Sequence, residues 1–178
     1  MGECVNLMDT KRYDFRKLSI LVVDDCKFMR KVMDRMLRVL GVEHIGFAKD
    51  GYDGLHECYN FKPDIVISDW EMSPMDGEEF IEKLRNDENS PDPLIPVIML
   101  TAYTEKKRVL AARDFGVTEF VAKPVSARVL YTRLVSVIEN PRSYVRSDNF
   151  FGLDRRRLRS MYSGNERRYV EAASNSKK

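Results

Sequence analysis

Four short apolar runs, each ending in a different charged or hydroxyl residue, constrain this chain more than any other feature. Residues 18–23 lead into Asp24-Asp25, residues 65–68 into Asp69, residues 97–100 into Thr101, and residues 119–122 into Lys123-Pro124. Runs of this length, rich in Val and Ile, read as buried strands. Between them the apolar spacing becomes helical. Phe28, Met29, Val32, Met33, Met36, Leu37 and Leu40 predict a helix over 26–40 that Gly41 stops. A short strand at 43–48 follows, then a helix at 51–61 with Leu55, Cys58 and Tyr59 facing inward. Pro63 resets the chain into the next strand. A loop at 70–76 leads into a helix at 77–86 carrying Phe80, Ile81 and Leu84. The three prolines between 87 and 96 mark a surface loop. Helices at 104–115 and 126–139 complete the series, the last with Ser126 as its cap and Asn140-Pro141 as its stop. Five strands alternating with five helices predict an α/β fold, a doubly wound five-stranded parallel sheet covered on both faces.

In such a sheet the ligand crevice forms at the C-terminal ends of the strands. That edge is where the acid pair, Asp69, Thr101 and Lys123 fall. Three carboxylates brought together repel one another unless a hard cation joins them, and Mg²⁺ takes oxygen ligands of this kind. A lysine and a hydroxyl beside them suit an incoming phosphoryl group. Singly, each residue has an ordinary explanation. Asp24-Asp25 fits a strand-to-helix turn, Asp69 a turn, and Phe120 and Trp70 the core. Joint placement on one edge is what carries the chemistry.

The joint pattern resembles the receiver domain of two-component response regulators, the CheY-like, flavodoxin-like fold. The resemblance spans about residues 17–140. It rests on Asp24-Asp25, Asp69-Trp70-Glu71-Met72 with Met75-Asp76-Gly77, Thr101-Ala102, and Phe120-Val121-Ala122-Lys123-Pro124. It implies that Asp69 accepts a phosphoryl group from a histidine kinase or phosphotransfer protein. Asp24 or Asp25, with Asp69 and the backbone carbonyl of Glu71, would hold Mg²⁺. Lys123 would bind the phosphoryl oxygens and Thr101 would hydrogen-bond them. Phe120 would be the aromatic switch, and Lys123-Pro124 a cis peptide. The chain departs from many relatives in having Ser73 directly after Met72 and Pro74 one place later. Glu71 and Tyr103 stand where they would tune phosphoryl lifetime. The domain division is then a mobile leader at 1–16, the receiver at 17–140 and a C-terminal extension at 141–178.

Other classes fit less well. No G-x-G-x-x-G follows the first strand and no G-x-x-x-x-G-K-[ST] loop is present. An aspartate-nucleophile phosphatase would carry D-x-D after its first strand, where this chain has adjacent aspartates; turnover of a small phosphate ester would reveal one. The resemblance implies a phosphoacceptor switch with slow self-dephosphorylation and no further enzyme activity. No apolar run approaches the roughly 20 residues needed to span a membrane. No secretory signal is evident and the three cysteines lack metal-ligand spacing, which predicts reduced thiols and a cytoplasmic protein. His44 and His56 have no partner pattern and are expected as surface or packing residues without a role.

The extension has a different character. Residues 141–178 carry ten Lys/Arg against four Asp/Glu, about +6, while the remainder carries 20 against 24, about −4. It is expected to be short and irregular, too short for a dedicated DNA-binding domain. Eight of its ten basic residues are Arg, interleaved with aromatics. Gly-x-acid-Arg-Arg occurs twice, at 152–156 and 164–168. Guanidinium binds phosphate and the guanine edge bidentately and stacks on flat rings. The extension resembles the arginine-rich segments of CheY-like cyclic di-GMP effectors. That resemblance implies cyclic di-GMP on Arg155, Arg156, Arg157, Arg159, Arg167 and Arg168, and output to flagellar or adhesion machinery. Two alternatives stand beside it: a segment that docks on an acidic protein partner, and one that attracts polyanions without selectivity.

Overall fold

The computed structural model describes residues 13–102, 116–139, 144–147 and 150–153. The described elements are β1 (Ser19–Val23), α1 (Lys27–Val39), β2 (His44–Ala48), α2 (Gly51–Phe61), β3 (Ile65–Asp69), α3 (Gly77–Asn86), β4 (Val97–Thr101), β5 (Glu119–Ala122), α4 (Ala127–Glu139), β6 (Tyr144–Ser147) and β7 (Phe150–Leu153). The helix expected at 104–115 lies outside the described residues, as do Tyr103 and the six arginines from 155 to 168.

The first five strands form one parallel sheet in the order β2-β1-β3-β4-β5. The chain winds outward from β1 to β2, then crosses back to β3 on the other side. The topological switch point therefore lies between β1 and β3, where an open α/β sheet forms its crevice.

Strand alternation sends side chains to both faces. Leu21, Val23, Val66, Val97 and Met99 pack with Cys58, Phe80, Ile81 and Leu84 from α2 and α3. Ile20, Val22, Ile67, Ile98, Leu100 and Val121 pack with Met33 and Leu37 of α1 and Leu130 and Leu134 of α4. Phe28 was expected on the inner face of α1 but is 70% exposed. At about 100° per residue it lies roughly 140° round the helix from Met33. Tyr59 likewise points outward from α2, whereas its neighbour Cys58 is buried.

Helix starts follow local chemistry. Asp50 accepts a hydrogen bond from the Asp53 amide at 2.9 Å, and Asp76 one from the Glu79 amide at 2.8 Å. Ser126 caps α4, its hydroxyl accepting from the Val129 amide at 3.3 Å. Gly41, just past α1, has φ of 93°, the left-handed conformation that glycine adopts without strain.

Two expectations at the ends of the chain are corrected. The packed chain begins before residue 17. Phe15 is buried against the second core, its ring 5.6 Å from that of Tyr131. Tyr13 stacks on Phe15 and its hydroxyl donates to Glu139, a bond that pushes the phenol's pKa up to about 12. The extension is not irregular throughout either. β6 and β7 pair antiparallel, with Tyr144 opposite Leu153 and Ser147 opposite Phe150. Aromatic and β-branched residues flanking Ser147-Asp148-Asn149 are a hairpin signal that the count of arginines obscures.

Candidate functional site

Register places the site residues before any side chain is considered. Val23 pairs with Ser68, so Asp24 and Asp69 leave neighbouring strands side by side. Asp69 pairs with Leu100, and Thr101 with Ala122, so Thr101 and Lys123 stand on the next two strands of the same edge. The Lys123 amide donates to the Thr101 carbonyl at 2.8 Å, and the Trp70 amide to the Leu100 carbonyl at 3.0 Å. Lys123-Pro124 is cis, as expected, and so is Ser73-Pro74.

The side chains then converge. Lys123 Nζ donates to Asp69 Oδ2 at 2.7 Å and lies 3.9 Å from Asp24 Oδ2. Asp69 Oδ1 accepts from the Trp70 amide at 2.8 Å. Asp24, Asp25 and Asp69 bring carboxylate oxygens within 4.8 Å of one another. The sequence left open which of the adjacent pair would belong to the site. The structure separates their environments: Asp24 is fully buried and Asp25 is exposed. Burial raises the Asp24 carboxyl above its ordinary pKa. The Cys26 amide on its Oδ1 works against this, and the nearby Asp69 charge adds to it.

Two backbone contacts fix the loop from Trp70 to Asp76. The Gly77 amide donates to the Trp70 carbonyl at 2.8 Å, and the Gly51 amide to the Met75 carbonyl at 3.2 Å. Met72 and Met75 anchor the loop in the core. Gly77 admits no other residue, because a Cβ there would lie 2.3 Å from the Asp69 carbonyl oxygen. The loop leaves an open cleft beside the acids, lined by Asp25, Trp70, Glu71, Met72 and Asp76.

The residues fit a hard cation. The donors are all oxygens, and buried Asp24 Oδ2 has no hydrogen-bond partner among the described residues. A buried carboxylate oxygen without a partner is unfavourable unless something coordinates it. Glu71 is exposed and lines the same cleft.

Thr101 is buried at the end of β4, and Phe120 is half-buried on β5 with its ring 6.4 Å from that of Trp70. That contact joins the residue after Asp69 to the expected switch residue. Sequence spacing did not reveal it, because the two lie 50 positions apart. Arg30, one turn into α1, was also missed. It donates to the Asp24 carbonyl and braces the acid turn from behind.

Comparison with known proteins agrees with this geometry. Residues 20–135 match the model of the response regulator receiver domain. The chain is 32% identical over 122 residues to the chemotaxis protein CheY of Pseudomonas aeruginosa, covering 68% of this chain and 97% of that protein. It is 32% identical over 124 residues to the chemotaxis protein CheY-3 of Vibrio cholerae, covering 70% and 94%. The structure of Vibrio cholerae CheY4 superposes with a TM-score of 0.62 at 28% identity, covering 67% of this chain and 98% of that one. The parallel sheet, the acid edge and these relatives together show that the chain belongs to the response-regulator receiver family, with homology to CheY.

Proposed function

We propose that this protein is a phosphorylation-driven switch in which Asp69 accepts a phosphoryl group from a histidine kinase or phosphotransfer protein. The observation that carries the proposal is the pairing of Lys123 with Asp69 at 2.7 Å beside a buried Asp24 oxygen that accepts no hydrogen bond among the described residues. An Asp69 carboxylate oxygen attacks phosphorus, the N–P bond of phosphohistidine breaks, and the imidazole leaves with the electron pair. Mg²⁺, held by Asp24, Asp25, Asp69 and the Glu71 carbonyl, would neutralise the charge gathering on the phosphoryl oxygens. Lys123 turns from the carboxylate to the transferred phosphoryl group. Thr101, at the neighbouring strand end, donates its hydroxyl to it. Phosphorylation adds about −1.5 to −2 of charge. Lys123 and Thr101 gain contacts only in that state, and such a difference in contacts is what moves a two-state equilibrium. Phe120, already beside Trp70, reports that movement on the surface near β5.

The relatives are chemotaxis proteins, which supports a protein-binding output in the cytoplasm, on flagellar or adhesion machinery. For the extension we propose cyclic di-GMP as the ligand of Arg155, Arg156, Arg157, Arg159, Arg167 and Arg168. The paired Gly-x-acid-Arg-Arg segments support this, since they offer two guanidinium groups to each of two guanines.

Two experiments test the proposals. Acetyl phosphate or a cognate kinase with Mg²⁺ should phosphorylate the wild type and leave Asp69→Asn unlabelled; an aspartyl phosphate persisting in the variant would assign the acceptor elsewhere. Calorimetric titration of cyclic di-GMP into the full chain should show binding. Binding should disappear in Arg155→Gln/Arg156→Gln/Arg167→Gln/Arg168→Gln, with GTP inert toward both. Binding that follows total anion charge would instead favour the unselective reading.

A further inference from the structure

A second hollow lies at the edge of the sheet opposite the acids. Where β3 and β4 begin, a cavity of about 620 Å³ opens between the end of α2 and the loop before β4. Small-molecule sites run from about 300 to 1,000 Å³. The length of β3, 5 residues or about 16 Å, separates this cavity from Asp69.

The lining divides by burial. Cys58, Pro63 and Ile95 are buried and form an apolar floor. Burial pushes the pKa of the Cys58 thiol up to about 12, so the floor carries no charge at neutral pH. Lys62, Asp64 and Asp92 are exposed and place charges of both signs round the opening. Lys62 stands just past α2 with φ of 50°, in the left-handed region. Glycine is the usual residue at such a helix end. A lysine there forgoes that ease and sets an ammonium on a four-carbon stem at the mouth.

The opening is held in shape from within. Asp64 Oδ2 accepts from the Ser19 amide at 2.8 Å, and Asp92 Oδ1 from the Leu94 amide at 2.9 Å. Each carboxylate keeps a second oxygen that accepts no hydrogen bond among the described residues. Arg85, buried behind the loop, donates to the carbonyls of Pro93 at 2.8 Å and Ile95 at 2.7 Å. Walls tied down in this way need not be ordered by a ligand, which favours binding.

The charges select the occupant. A purely cationic ligand would meet Lys62, and a purely anionic one would meet Asp64 and Asp92. A molecule with both an ammonium and a carboxylate answers all three, and an apolar body answers the floor. We propose that this cavity binds a small zwitterion with an apolar skeleton, of the apolar α-amino-acid type. Its ammonium pairs with Asp64 and Asp92 and its carboxylate with Lys62. Its side chain packs on Cys58, Pro63 and Ile95.

Backbone amide NMR on the full chain tests this with L-phenylalanine, L-leucine, phenethylamine and 3-phenylpropionate. The two amino acids should shift amides between residues 58 and 64 and between 92 and 95, with a Kd of the order of a millimolar for ligands of so few atoms. Phenethylamine and 3-phenylpropionate each lack one charge and should bind about tenfold more weakly than phenylalanine. Lys62→Met keeps the stem and should bring phenylalanine down to the level of phenethylamine, without weakening phenethylamine itself. Asp64→Asn/Asp92→Asn keeps the acceptors for the Ser19 and Leu94 amides and should bring phenylalanine down to the level of 3-phenylpropionate. Dispersed β-sheet amides certify folding in both variants. The proposal is overturned if neither amino acid shifts these amides, if the three phenyl ligands bind equally, or if the variants leave phenylalanine binding unchanged. The readout involves neither Mg²⁺ nor phosphorylation, so it stands apart from the Asp69 reading.

Discussion

Two charged side chains are buried at opposite edges of the same sheet, and their surroundings differ in kind. At the N-terminal edge, Arg85 at the end of α3 is 4% exposed. It donates to the carbonyls of Pro93 at 2.8 Å, Ile95 at 2.7 Å and Gly116 at 3.1 Å. One guanidinium thereby ties the loop before β4 and the turn before β5 to α3. At the C-terminal edge, Asp24 is also buried, yet its Oδ2 accepts no hydrogen bond among the described residues, has Lys123 Nζ only at 3.9 Å, and faces the like charge of Asp69. Burying charge is unfavourable in both places. At Arg85 hydrogen bonds answer it within the fold, which makes it a structural device. At Asp24 they leave one oxygen without a hydrogen bond among the described residues, which is what a candidate cation site offers.

The largest test of this contrast is Arg85→Met. Keeping the bulk while deleting the donors leaves buried carbonyls unsatisfied, so stability should fall by about 3 kcal/mol. Urea unfolding would show it as a lower midpoint at unchanged slope. An unmoved midpoint would mean that the loop before β4 holds itself together. Asp24→Asn should act in the opposite direction. Without Mg²⁺ it should stabilise the protein by about 1 kcal/mol, since it removes a buried carboxylate that faces Asp69. It should also abolish the Trp70 fluorescence change on adding Mg²⁺, a change that the wild type should show. A destabilised Asp24→Asn would mean the carboxylate is already satisfied, and the contrast with Arg85 would fail.

A pH series sharpens the same point. The folded-state pKa of Asp24 lies above its ordinary value of 3.8, so the folded protein takes up a proton before the unfolded chain does. Its ionisation therefore lowers stability as pH rises through the folded pKa. The stability gap between Asp24→Asn and the wild type should be full at neutral pH and narrow on acidification toward 3.8. A gap independent of pH would remove the carboxylate from the explanation. The smallest effect concerns cysteines. Burial pushes the Cys58 thiol up to about 12, while Cys26 is exposed at the start of α1. A thiol reagent at pH 8, mapped by mass spectrometry, should modify Cys26 and spare Cys58. Equal labelling would mean that α2 opens readily.

The contrast also explains what the sequence could and could not reveal. Asp69, Thr101 and Lys123 were legible because each ends an apolar run, and strand ends on one edge must converge. The helix from Gly51 to Phe61 was legible from the spacing of Leu55 and Cys58 and from Pro63 beyond it. Arg85 was not legible. A basic residue in the last turn of a helix is ordinary there, and only the approach of two distant loops shows that it is buried. The choice between Asp24 and Asp25 was hidden for a similar reason, since adjacent residues look alike until a turn sends one inward. Phe15 and Tyr13 lay in a polar stretch whose two aromatic anchors were too few to form a pattern. The β6–β7 hairpin was masked by the charge of the segment around it.

The bond between Tyr13 and Glu139 has a consequence for engineering. It brings Tyr13, at the start of the described residues, into contact with the last turn of α4. A fold whose two ends meet can be cut elsewhere and rejoined there, or inserted whole into a host loop, with little strain on its core. The exposed turn around Asn89 is a natural place for the new opening, and a short linker across Tyr13 and Glu139 would close the old one.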